Sequence, residues 1–275
     1  MESQKLNVEI ALKTGKAVCT RTDAVSSSTE KVLSVFIPAL LMVLTLNLNA
    51  ESVIWPLTPA PQGNTAAIAR PRIDWFERFQ SNLDKAKAAG QIDLIFDGDS
   101  ITDGWQVGGR RVWNERYDKL KAFDFGISGD RVETVLWRLQ NGQVDGLDPK
   151  LIVLMIGTNN GRNNPDEIAE GIKLLVGDYL KRCPKAYMLL LGVFPRAVSA
   201  TDGARAKIIQ INQKIATLAD GKRVTYLDIG AKFLEPDGTL SKEVMPDALH
   251  PSAKGYQIWA DAIQSEIDKH FPPAK

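Results

Sequence analysis

Histidine is nearly missing from this sequence. Of 275 residues only His250 and His270 are histidines. Multi-histidine metal cages and the H-E-x-x-H zinc pattern are thereby excluded by counting, and any imidazole chemistry must use one of these two rings. No metal and no other cofactor is expected. An excess of either charge is missing too: 34 Lys plus Arg against 33 Asp plus Glu leaves a formal net charge of +1. No basic field exists to favour nucleic acid or an anionic membrane surface as a partner. Cysteine is limited to Cys19 and Cys183, on opposite sides of an apolar run. Cleavage after that run leaves one thiol and no disulfide within the domain, and Cys183, just before Pro184, is expected to be structural.

The apolar run itself, "VLSVFIPALLMVLTL" over 32–46, has 15 residues and contains Pro38. A spanning helix needs about 20 apolar residues, whereas the h-region of an export signal needs about 7–15 and ends near a small residue such as Ala50. Residues 1–50 therefore resemble a leader with a secretory signal peptide. Export, to a periplasm or the exterior, is the expectation, with anchoring by 32–46 as the alternative. Stable membrane insertion of the mature domain is not expected. Residues 51–71 carry Pro56, Pro59, Pro61 and Pro71 with little periodicity and are expected to be an extended arm. The folded unit, 72–275, is expected to begin near Arg72.

From there Trp75, Phe76, Phe79, Leu83 and Ala86 recur at spacings of three and four, which predicts a helix stopping at Gly90. Short apolar runs then alternate with helical ones: strands near 92–97, 122–127, 151–156, 187–193 and 223–228, helices near 131–140, 165–182, 203–219 and 253–269. Strands such as "LIVLMI" are apolar on both faces, as in a parallel sheet covered by helices on each side. Asn164, Pro165 and Glu167 form an N-cap, N1 proline and capping-box glutamate. The expected fold is an α/β/α three-layer sandwich around a doubly wound, mainly parallel five-stranded sheet of flavodoxin-like type, whose ligands bind beyond the carboxyl ends of the strands.

Four segments fall at those ends or in the late loop: "DGDSIT" (97–102), "GISGD" (126–130), "GTNN" (157–160) and "MPDALHPS" (245–252). Together they resemble the blocks of the SGNH, or GDSL, hydrolases, with Ser100, Gly129, Asn159, and Asp247 with His250 in the respective blocks. The stretch from "FGISGDRVETVLWRLQNG" to "IVLMIGTNN" is similar to the catalytic subunits of the platelet-activating-factor acetylhydrolase type. The resemblance covers roughly 72–270 and implies an esterase acting on small-molecule esters with short acyl groups.

The chemistry has its own logic. A serine hydroxyl is a poor nucleophile until a base takes its proton, and the base must be held in one tautomer by a third group. His250 is the candidate base. Asp247, three residues earlier, shares its side of one helical turn and accepts from Nδ1–H while Nε2 faces Ser100. The competing role, a cap on the last helix, suits Ser252 better. His270 near the end of that helix suits the negative end of its dipole and no catalysis. By the resemblance, the oxyanion donors are the backbone N–H groups of Ser100 and Gly129 and the side-chain amide of Asn159. Asp99 and Asn160 support the loops that present their neighbours. Ile101 and Leu249, flanking nucleophile and base, are candidates for an acyl pocket as well as for core.

Two other readings compete. The D-x-D of Asp97 and Asp99 resembles the start of the Mg²⁺-dependent haloacid-dehalogenase-type phosphatases, with Asp97 as nucleophile, Asp99 as acid and Thr158 as a second-strand hydroxyl. That assignment leaves Asp247, His250, Asn159 and Gly129 without work, and Asp97 is more simply the strand residue that delivers the loop. A secreted carbohydrate-binding module would present Trp105 and Trp113 to sugar rings, but has no need of a nucleophile and base. An esterase for acetylated carbohydrate reconciles both.

Overall fold

The computed structural model describes residues 63–272. The leader, the run 32–46 with its cleavage point near Ala50, Cys19 and the arm up to residue 62 lie outside the described residues. Five strands alternate with helices: β1 Leu94–Gly98, β2 Ala122–Asp124, β3 Leu151–Met155, β4 Tyr187–Leu191 and β5 Val224–Leu227. All are parallel, in the order β2-β1-β3-β4-β5. The order reverses between β1 and β3. There the loops leaving their carboxyl ends diverge and open a crevice.

The helices are α1 Phe76–Ala89, the single turn α2 Ser100–Asp103, α3 Arg110–Arg116, α4 Val132–Gln140, α5 Pro165–Arg182, α6 Gly203–Ile215 and α7 Ala253–His270. One side of the sheet is packed by Ile95, Ile152, Leu154 and Leu190 against Val132, Val135, Ile168, Ile172, Ile208 and Ile211 from α4, α5 and α6. The other side packs Leu94, Phe96, Val153 and Leu189 against α3, α7 and the turns between. Successive strand residues alternate between the faces. Asp97 therefore follows Ile95 into the α4–α5 layer, a charged residue in a strand buried along its whole length.

The cap predicted for α5 forms in full: Asn164 accepts from the Glu167 N–H at 2.9 Å, the Glu167 carboxylate accepts from the Asn164 N–H at 2.9 Å, and Pro165 stands at N1. Ser252 is the N-cap of α7, accepting from Gly255 N–H. Residues 63–71, expected as the end of an extended arm, are anchored at two points. Ala66 is buried in the α4–α5 layer, and Asn64 donates to the Glu167 carbonyl at 2.9 Å.

Trp105 and Trp113 are not at the surface. Both are buried beside Phe96, with ring centroids 5.9 and 5.2 Å from it, and Trp105 lies 4.9 Å from Trp259 and 4.6 Å from Tyr256. Such offset and edge-to-face clusters build core. They leave no aromatic face for a sugar, so the carbohydrate-module reading loses the side chains it was built on. Cys183 is a free thiol in the core, as expected.

Candidate functional site

Ser100 is the first residue of α2, directly after β1. Asp99 is that turn's N-cap, its Oδ1 accepting from Ile101 N–H at 2.9 Å, so the strand turns abruptly into a helix and leaves the hydroxyl at the corner. Ser100 Oγ lies 2.8 Å from His250 Nε2, and His250 Nδ1 lies 2.6 Å from Asp247 Oδ2. With the proton held on Nδ1 by the carboxylate, Nε2 is free to accept from the serine.

The Asp-Ala-Leu-His segment is not helical, contrary to the expectation. It is a turn in which Ala248 takes φ +59°, a left-handed backbone uncommon for a residue with a Cβ. Asp247 closes it by accepting the N–H groups of Leu249 at 3.0 Å and His250 at 2.7 Å on Oδ1. Asp247 thus shapes the loop with one oxygen and orients the imidazole with the other. Partial burial pushes its carboxyl up, but the hydrogen bonds from the His250 ring and backbone outweigh that and hold it below the ordinary range. The loop is tied down at two more points. Ala197 N–H donates to the Ala248 carbonyl at 2.9 Å, and Tyr256, in the first turns of α7, donates its hydroxyl to the Ile101 carbonyl at 2.7 Å. A Cβ at Gly104 would fall 2.0 Å from that hydroxyl, so glycine is what lets Tyr256 reach α2.

Gly129 follows β2 with φ +80°, a region open to glycine at no steric cost. A Cβ there would also meet the Arg72 guanidinium at 2.5 Å. Asn159 follows β3 and donates Nδ2 to the Asp130 carbonyl at 2.9 Å, which uses one amide hydrogen and leaves the other. Among the described residues, the N–H groups of Ser100 and Gly129 have no protein acceptor. Asn160 supports the adjacent corner, its Oδ1 accepting from Val132 N–H at 3.0 Å and its Nδ2 donating to Glu133 at 2.8 Å.

Leu249 lines a cleft of about 510 Å³ beside Asp247, with Thr158, Arg196, Ile208 and Ile211. Ile101 does not. It is fully buried in the α7-side core, so of the two acyl-wall candidates only Leu249 faces open space. His270 lies 4.6 Å from the ring of Tyr187, the first residue of β4, at the opposite end of the strands. Burial holds its imidazole below the ordinary value against the pull of Glu266, so the expected helix-dipole charge is not what its surroundings favour.

Sequence reasoning missed a polar cluster under the site. Arg138 of α4 is fully buried, with Nη2 donating to Asp97 Oδ1 at 2.9 Å and Nε to Asp130 Oδ2 at 2.8 Å. Gln143 donates to Asp97 Oδ2 at 2.7 Å and to the Tyr179 hydroxyl at 2.8 Å, while Tyr179 also donates to Asp97. Burial works against the charge on Arg138, but the two carboxylates outweigh it and hold the guanidinium protonated. The signal was present: Arg138 sits three residues after Val135 and one before Leu139, on the stripe that faces the sheet. Asp97, with both oxygens engaged and no exposed surface, offers no face to a phosphoryl group. The hydroxyl of Thr158, its other supposed partner, accepts from Arg196 at 3.3 Å.

Residues 96–258 match the model of the GDSL-like lipase/acylhydrolase family. The chain belongs to that family. Human platelet-activating factor acetylhydrolase IB subunit alpha1 is 36% identical over 174 residues, covering 63% of this chain and 74% of the relative. The rat alpha2 subunit is 38% identical over 165 residues, covering 60% and 71%. Among solved structures, a GDSL-like lipase from Bacteroides thetaiotaomicron superposes with TM-score 0.58 at 23% identity, covering 70% of this chain and 98% of its own. An acetylxylan esterase from Geobacillus stearothermophilus does so with TM-score 0.54 at 24% identity, covering 65% and 94%. At such identities the solved structures establish the shared fold. The family match and the acetylhydrolase relatives make this GDSL-like chain a carboxylic ester hydrolase. Among the described residues no helix is long and apolar enough to cross a membrane.

Proposed function

We propose that this GDSL-like acylhydrolase is a serine esterase that removes short acyl groups, acetyl above all, through an acyl-enzyme on Ser100. One observation carries the reading: the continuous contact from Ser100 Oγ to His250 Nε2 at 2.8 Å and from His250 Nδ1 to Asp247 at 2.6 Å. His250 takes the serine proton as Oγ attacks the ester carbonyl, and returns it to the departing alcohol oxygen. Asp247 stabilises the imidazolium formed between these events. The N–H groups of Ser100 and Gly129 and the amide of Asn159 receive the oxyanion. Water, deprotonated by the same imidazole, then releases the acid. The two acetylhydrolase relatives and the acetylxylan esterase share an acetyl substrate, while their alcohol portions differ. The acyl group is therefore the firmer part of the proposal, and lipid or acetylated carbohydrate are its two alcohol classes. Export is part of the reading, resting on the 15-residue run 32–46.

A fluorophosphonate probe is expected to label Ser100 alone. Ester hydrolysis is expected to vanish in Ser100→Ala and to be indifferent to EDTA. A p-nitrophenyl series run beside acetylated xylo-oligosaccharide and an acetylated phospholipid is expected to favour acetyl and butyryl; a preference for chains longer than about ten carbons, at about 0.8 kcal/mol gained per buried CH₂, would instead reveal an open apolar groove. Activity that survives Ser100→Ala, requires Mg²⁺ and releases phosphate would refute the reading.

A further inference from the structure

The two oxyanion donors that do not come from the nucleophile itself both hang on one residue. Asp130 follows Gly129 directly, and its carbonyl accepts the Asn159 amide at 2.9 Å. Its own carboxylate points the other way, into the core, where Arg138 holds it at 2.8 Å. The same guanidinium reaches Asp97 at 2.9 Å, and Asp97 stands in β1 three residues before Ser100. Asp97, Asp130 and Arg138 are all fully buried.

We propose that Arg138 is a positioning residue for acyl transfer, its planar fork clamping Asp130 to Asp97 so that the Gly129 N–H and the Asn159 amide are fixed relative to the Ser100 hydroxyl. The inference rests on the reading of Ser100 as nucleophile and of Gly129 and Asn159 as oxyanion donors. A fork with donors in fixed directions is suited to hold two carboxylates at a set separation, which a lysine ammonium is not. Stability alone does not call for such a cluster. A buried ion pair is often no better for stability than apolar side chains of the same volume, and its attested use is to specify one arrangement. Here the arrangement specified is that of β1 against the loop after β2. Gln143 and Tyr179 complete it by occupying the other oxygen of Asp97, so that Asp97 cannot turn away from Arg138.

Oxyanion geometry acts on the transition state, so disturbing it should lower kcat and leave KM nearly alone. The test is a double-mutant cycle between Asp130→Asn and Asn159→Ala, read as kcat and KM on p-nitrophenyl acetate, with folding checked by circular dichroism. In the otherwise unaltered enzyme, loss of the Asn159 amide is expected to lower kcat about 100- to 1,000-fold, as for an oxyanion donor elsewhere. Asp130→Asn is expected to lower kcat by at least about 30-fold, since most of the 100-fold or more that the amide supplies is lost with its placement, and to keep KM within threefold. In the Asp130→Asn background, adding Asn159→Ala should cost only about threefold more, because that amide is already misplaced. Equal costs in both backgrounds would mean that Asp130 is merely structural and would overturn the proposal. A cost below about fivefold for Asn159→Ala in the unaltered enzyme would instead remove the oxyanion reading itself, and the proposal with it. Should Asp130→Asn fail to fold, the same cycle on Arg138→Lys, which keeps the charge but not the fork, decides by the same criteria.

Discussion

Replacing Asp99 by asparagine should stabilise the protein at pH 8 and leave it nearly unchanged at pH 4. Asp99 is fully buried. Its Oδ1 accepts a single hydrogen bond, from Ile101 N–H at 2.9 Å, and its Oδ2 has no partner among the described residues. Burial pushes its carboxyl up to about 7, the Ile101 hydrogen bond and Arg196 resisting while Asp130 and Asp97 add to the rise. An unfolded aspartate loses its proton near pH 3.9, so between about pH 4 and 7 the folded chain keeps a proton that the unfolded chain has released. More protons bound in the folded state mean that stability falls as pH rises through this window, then levels off above about 7. At about 1.4 kcal/mol per pH unit, the fall reaches about 4 kcal/mol. Asparagine is neutral throughout, and its carbonyl can still cap Ile101. The difference in unfolding free energy between Asp99→Asn and the unaltered protein should therefore grow from near zero at pH 4 to about 4 kcal/mol at pH 8, the titrations of groups distant from Asp99 cancelling in the subtraction. Urea unfolding at pH 4, 5, 6, 7 and 8 measures it. A difference independent of pH would refute the reasoning, since it would mean that Asp99 titrates alike in both states.

Two further outcomes bear on the fold. Trp105→Ala should cost about 3–5 kcal/mol by urea unfolding, as expected for a large side chain removed from a packed core. A variant of full stability with weakened binding to saccharide would return Trp105 to the surface. Asn164→Ala should cost about 1 kcal/mol through loss of the α5 cap, and no change in the thermal midpoint would show that the cap is redundant.

What was legible in the sequence is what depends on neighbours along the chain. The α5 start was readable because Asn164, Pro165 and Glu167 act within one turn of each other, and the strands because apolar runs of four to six residues between turn signals have few other uses. Ser100, Gly129 and Asn159 stood out as candidates because they lie in short polar segments after apolar runs, and Asp247 with His250 because they share one short loop. Illegible were matters of partnership across the fold. Nothing near Asp97 announces that an arginine 41 residues away will reach it. Ile101 and the two tryptophans stayed open between ligand and core for a related reason: an apolar side chain beside a functional one is written the same way whichever way it turns. The left-handed Ala248 was hidden because the turn is stabilised by Asp247's own carboxylate, a use of the residue that competes in sequence with its role toward His250.

The strand order explains why residues spread over 150 positions meet. Because β1 lies between β2 and β3, the loops after these three strands are neighbours, and Ser100, leaving the middle one, is flanked by Gly129 on one side and Asn159 on the other with no long connection required. His250 cannot come from a third neighbour of β1, since a strand has only two. It arrives instead from above, on the loop that precedes α7, the helix that covers the opposite face of the sheet from α4 and α5. That delivery depends on the height at which α7 begins, and Tyr256, bonded to the Ile101 carbonyl in the turn that carries Ser100, fixes it. Ser100 is thus held between β1, which carries Asp97, and the turn that Tyr256 ties down, and the His250 ring meets its hydroxyl there.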